Sequence, residues 1–203
     1  MSSARTGTAD GSGPGAPDRS SAARTDAGRH LQEKRDRIMD INAIVYTSAT
    51  GFTARYAALL AERTRLPAYE LAQAGTALSK RAPVLYLGWL CAGGIKGLKK
   101  AAARFDVKAV CAVGMSLPDP AYTAKLALPA ALKQVPLFYL RGGYAPDRLT
   151  GVYQPMMALM TKAVTRTPPK DAGERAMQDA FLHGGDWVSE QALTPVLERL
   201  AER

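Results

Sequence analysis

Cysteine and histidine are scarce in this 203-residue chain: Cys91, Cys111, His30 and His183 are the whole supply. Two thiols cannot build a disulfide scaffold or a four-thiolate zinc site. Two histidines argue against an all-protein metal centre, so no metal is expected. No apolar run approaches the roughly 20 residues a membrane-spanning helix needs. The longest uncharged stretch, residues 82–95, contains Pro83 and three glycines. Residues 1–40 lack the apolar centre of a secretory signal. These absences, with two unpaired thiols, lead us to expect a cytoplasmic protein. No paired carboxylates and no Ser–His–Asp arrangement can be argued, which disfavours hydrolysis.

What is present is ordinary globular composition, 47% hydrophobic and 22% charged, at a length that suits one domain with a tail. Residues 1–39 are expected to be a disordered or weakly helical tail. Up to residue 27 they hold no large apolar side chain after Met1, and such a segment cannot bury enough surface to offset its ordering entropy. Residues 40–203 are expected to form the domain. The net charge is +9; the tail has seven Lys/Arg against five Asp/Glu, leaving +7 on residues 40–203. That excess suits an anionic contact (nucleic acid, membrane or acidic partner) or else a solvated basic face.

Short apolar runs at 41–46 (INAIVY), 68–71, 84–87 (VLYL), 108–113 (KAVCAV) and 137–140 (LFYL) read as buried strands. Segments 54–65, 95–105, 121–133, 152–163 and 189–201 read as helices, the third disturbed near Pro129 and the last capped by Ser189. Alternating strands and helices predict an α/β fold with five parallel strands covered on both faces. Residues 142–188 form an insertion after the fifth strand, with a Met-rich helix, a polar stretch and HGGDW. Met156, Met157 and Met160 are expected to pack mainly into the core, as is Cys111.

The sharpest motif is Thr47-Ser48-Ala49-Thr50-Gly51-Phe52-Thr53, between the first strand and first helix. Free N–H groups at a helix start suit a phosphate, and hydroxyls add donors. No lysine follows Gly51, which excludes a Walker loop, and a single glycine excludes the dinucleotide fingerprint. A cationless, hydroxyl-rich loop fits a phosphomonoester. Gly88-Trp89-Leu90-Cys91-Ala92-Gly93 follows the third strand, and Gly114-Met115-Ser116-Leu117 follows the fourth. Ligands of open parallel sheets bind outside those strand ends. Three such loops could hold one phosphate and one flat ring, with Trp89 or Leu90 on one side and Met115 or Leu117 on the other. The third loop has no aromatic, and Cys91 reads as an inert loop thiol.

TSATGFT after the first strand resembles the phosphate loop of the flavodoxin-domain family. IVYTSATGFTARYA, LYLGWLCAGGIKGLKK, VPLFYLRGGY, VYQPMMALMTKAV and Asp186-Trp187 together resemble, within it, the flavodoxin-type protoporphyrinogen IX dehydrogenase branch. The resemblance covers residues 41–203. It implies a flavodoxin-like three-layer sandwich with strand order 2-1-3-4-5 and non-covalent FMN. Ser48, Ala49, Thr50, Gly51, Phe52 and Thr53 would hold the phosphate, and the loops from Gly88 and Gly114 would flank the isoalloxazine. The implied function is an FMN oxidoreductase that oxidises a porphyrinogen-type substrate and passes electrons to a quinone or similar acceptor. The alternative is a non-enzymatic electron carrier between redox proteins. Carriers are usually acidic and this chain is basic, which resembles the dehydrogenase branch. A small-molecule or protein redox partner and peripheral contact with an anionic membrane are implied, with no nucleic acid. The insertion is expected to govern access to the site rather than hold the flavin.

Overall fold

The computed structural model describes residues 41–126, 128–129 and 132–201. The tail expected over residues 1–39 lies outside the described residues, as does the boundary at residue 40. In chain order the elements are β1 (Ala43–Tyr46), α1 (Phe52–Thr64), β2 (Ala68–Glu70), α2 (Leu71–Ala77), β3 (Pro83–Cys91), β4 (Gly94–Ile95) and α3 (Leu98–Arg104). They continue with β5 (Asp106–Gly114), α4 (Pro120–Ala124), β6 (Leu137–Arg141), β7 (Gly143–Tyr144), α5 (Tyr153–Val164), α6 (Ala172–His183), β8 (Gly185–Asp186) and α7 (Thr194–Ala201).

The main sheet runs β2-β1-β3-β5-β6 with every neighbouring pair parallel. Counting only these five strands, the order is 2-1-3-4-5, and the chain is a flavodoxin-like three-layer sandwich. Side chains alternate across the sheet, as a period of two requires. Ala43, Val45, Val84 and Tyr86 pack with Leu71, Ala74, Leu98 and Ala101 of α2 and α3. Ile44, Leu85 and Leu87 pack on the other face with Tyr56, Ala57 and Leu60 of α1 and with Leu193 and Val196 near the C-terminus. One irregularity re-phases β5. Val84 pairs with Val107 but Leu85 pairs with Ala109, leaving Lys108 as an extra residue. The bulge sends Val107 and Ala109 to opposite faces.

Several elements differ from the sequence reading. The strand expected at 84–87 runs to Cys91 and turns back into β4, so the helix expected from residue 95 starts at Leu98. The turn is Ala92-Gly93, both at positive φ (50° and 74°), the two-residue form that matches strand twist. Helix α2 directly follows β2 where no helix was expected. Where a helix was expected over 121–133, the described residues show the short α4, capped by the Asp119 carboxylate accepting from the Ala121 N–H, and no longer helix. The polar stretch before HGGDW, to which no helix was assigned, is α6, whose first turn is fastened by a capping box: the Glu174 N–H donates to Asp171 Oδ1 and the Lys170 N–H to Glu174 Oε2, both at 2.8 Å. Ser189 makes no side-chain cap, and a 3₁₀ turn (Glu190–Leu193) precedes α7. Among the described residues no helix is long and apolar enough to cross a membrane.

Candidate functional site

The β1–α1 loop sits at the carboxyl end of the sheet. Gly51 (φ 97°) turns the chain into α1 in the left-handed region, which glycine enters without strain. Ser48 Oγ accepts the N–H groups of Gly51 (3.1 Å) and Ala54 (3.4 Å), pre-shaping the turn. Ala49, Thr50, Phe52 and Thr53 line a cavity of about 540 Å³, inside the range of small-molecule sites. Thr53 is buried, and among the described residues its hydroxyl has no hydrogen-bond partner. Ser48 and Gly51 do not line the cavity, and neither does Thr47. Its hydroxyl and that of Tyr86 lie 3.1 Å apart, and both donate to the Lys96 carbonyl, at 3.0 and 2.6 Å. Burial pushes the Tyr86 phenol up to about 12, partly offset by Thr47.

The second wall is the β3–β4 hairpin, with Trp89, Leu90, Cys91, Ala92 and Gly93 on the cavity. Gly88 is not at its surface: a Cβ there would lie 2.5 Å from Ile95 Cγ2, so the residue serves the close return of β4. Trp89 meets Tyr153 of α5 edge-on at 4.9 Å, and Lys96 Nζ lies 5.8 and 5.1 Å from the two ring centroids. The Tyr153 hydroxyl, then Cys91, hold Lys96 above its ordinary value.

Gly114, Met115 and Ser116 form the third wall, whereas Leu117 points to solvent, 67% exposed, and is not part of it. This loop has no aromatic of its own, but Tyr122 of α4 and Tyr139 of β6 line the cavity, edge-to-face at 6.1 Å. The Tyr139 hydroxyl donates to the Ser116 carbonyl at 2.8 Å, and burial pushes it up to about 12.

The insertion is fastened at its neck. β7 and β8 pair antiparallel, and the buried Tyr56 hydroxyl donates to the Arg141 carbonyl (2.6 Å) and accepts the Ser189 N–H (3.2 Å), gripping both roots. Its body walls the cavity with Tyr144, Tyr153, Met156, Met157, Met160, Met177 and Phe181. The methionines are therefore not core: no residue of α5 is buried. Nor are the loops complete without the insertion. Arg148 Nη1 donates to the Thr50 carbonyl at 3.4 Å, which places a cation beside the loop that lacks one in sequence. Nearby, Arg55 pairs with Asp186. Partial desolvation pushes the Asp186 carboxyl up, but the Val188 N–H, Arg55 and the field of Arg148 outweigh it and hold the group below its ordinary value.

Thirteen of the cavity's lining residues lie outside the three expected loops, ten of them on the insertion, among them Tyr122, Tyr139 and Phe181. Tyr139 had no local signal for the cavity, since it sits in an apolar run that reads only as a buried strand. Arg148 had none, because 98 residues separate it from Thr50.

No protein-family model and no curated protein matches the chain. Among solved structures it is similar to the tagatose-6-phosphate ketose/aldose isomerase from Escherichia coli, at 13% identity and a TM-score of 0.33. That match covers 89% of this chain, which spans about half (48%) of the isomerase chain.

Proposed function

We propose that the cavity binds FMN and that the protein is a flavodoxin-like oxidoreductase of the protoporphyrinogen dehydrogenase type. The observation that carries this reading is the convergence of loops from the carboxyl ends of β1, β3 and β5 on one cavity, whose walls hold an open hydroxyl, a helix start and several aromatic side chains. The residues present fit the group. Ser48, Ala49, Thr50, Gly51, Phe52 and Thr53 would hold the phosphate. Trp89 to Gly93 and Gly114 to Ser116, with Tyr122 and Tyr139, would border the ring. FMN when bound supplies the redox chemistry, and the protein supplies binding, orientation and exclusion of water. The methionine wall is flexible and apolar, which suits a large ring such as a porphyrinogen. Lys162 and Arg166, at the end of the exposed α5, suit the substrate's carboxylates or an anionic membrane that holds the acceptor.

The test is a titration of apo-protein with FMN and with riboflavin, which lacks the phosphate. FMN should bind much more tightly, and equal affinities would refute the phosphate-loop assignment. Thr50→Ala with Thr53→Ala should weaken FMN by about 1–3 kcal/mol and leave riboflavin unaffected. Anaerobic addition of a porphyrinogen should bleach bound flavin. A flavin that is bleached by redox proteins but not by a porphyrinogen would favour the electron-carrier reading.

A further inference from the structure

The β1–α1 loop has donors but no cation of its own, and a phosphate dianion needs charge as well as hydrogen bonds. The structure brings three observations together there. Thr53, 2% exposed, opens its unpartnered hydroxyl to the cavity beside the loop. Arg148, from the 3₁₀ turn Pro146–Arg148 just beyond the neck of the insertion, reaches the Thr50 carbonyl and lies 3.7 Å from where a Cβ on Gly51 would be. Asp186, which feels the charge of Arg148, is itself paired with Arg55. Arg148 itself makes no ion pair among the described residues, and its guanidinium is exposed and held by one long bond.

We propose that Arg148 is the phosphate-binding cation of this site, so that binding a phosphorylated ligand also seats the insertion over the cavity. The inference rests on the proposed FMN site and deepens it. A guanidinium can grip two phosphate oxygens at once. The weak bond to the Thr50 carbonyl is easily exchanged for that grip, and Arg148 need not leave the loop to make it. Gly142 and Gly143 tie this turn to the sheet: the Gly142 N–H donates to the Gly114 carbonyl at 2.7 Å, and Gly143 pairs with Asp186. A phosphate held by Arg148 therefore tethers the loop to the base of α5 and α6, and the methionine wall follows.

The experiment uses the full chain and two readouts. The first is affinity for FMN and riboflavin in the wild type, Arg148→Ala, Arg148→Lys and a control, Arg175→Ala, at an exposed position of α6. Arg148→Ala should lose ten- to a hundredfold in FMN affinity with riboflavin unchanged. Arg148→Lys should recover part of the loss, and Arg175→Ala should match the wild type. The second readout is trypsin cleavage after Lys162, Arg166, Lys170 and Arg175. FMN should protect these sites in the wild type far better than riboflavin does, and should not protect them in Arg148→Ala. If the wild type favours FMN and Arg148→Ala favours it equally, Arg148 is not the phosphate cation, although the FMN site stands. If the wild type itself does not distinguish the two flavins, the underlying site assignment fails. If affinity drops in Arg148→Ala but FMN gives the wild type no protection, the coupling to the insertion is overturned.

Discussion

At the scale of single residues, two hydroxyls of one heptapeptide have opposite fates. Thr47 and Thr53 look equivalent in TSATGFT, yet Thr47 is bonded beneath the β3–β4 hairpin and Thr53 opens into the cavity. The difference is direction: Thr47, just past the end of β1, faces Tyr86, while Thr53 stands on the first turn of α1. Tyr86 and Tyr139 do similar structural work on the other two walls, each bonded to a backbone carbonyl and each pushed up to about 12 from an ordinary value of 10. Their folded-state values are raised, so the fold favours the neutral phenol. The stability they contribute is complete below pH about 10 and is lost as pH rises toward 12, where the unfolded chain ionises first. Denaturant midpoints measured from pH 9 to 12 should fall steeply in the wild type. They should fall less steeply in Tyr86→Phe, which starts lower but lacks one of the raised groups, while Tyr139, Tyr56 and Cys111 remain. An unchanged slope would contradict this assignment.

At the scale of elements, the insertion is where the sequence reading and the structure part most. Its Met-rich helix was legible, since 152–163 was expected and Tyr153–Val164 is found. Its burial was not, because apolar periodicity marks a face without saying whether sheet or cavity lies against it. Helix α6 was missed although Asp171 and Glu174 form a capping box, a local signal masked by polar composition. The neck depends on close backbone approach that only glycine permits. A Cβ on Gly143 would fall on the Gly185 carbonyl oxygen and 2.5 Å from the Phe52 ring. Gly143→Ala should therefore cost about 1–3 kcal/mol and expose residues 144–185 to protease before the sheet opens. Cleavage sites read by mass spectrometry check the order. Simultaneous loss of sheet and insertion would show that the neck is not a separate unit.

At the scale of the whole molecule, every lining residue of the cavity falls between Ala49 and Phe181. A chain shortened to residues 40–203 should keep its thermal midpoint and its FMN affinity. If the shortened chain folds but does not bind, residues 1–39 belong to the site. The sheet was readable from the chain alone, because short β-branched runs separated by amphipathic segments can bury both faces in only one general way. The three loops were readable for a related reason: in a parallel sheet, residues just past each strand must meet at one edge. Local sequence could not assign the closing parts of the cavity. Tyr122 and Tyr139, Arg148 beside Thr50, and the methionine wall all depend on contacts between residues far apart along the chain. Such contacts are set by crossover geometry and by how the neck of the insertion packs on Phe52 and Tyr56, and neither leaves a periodic trace in the order of residues.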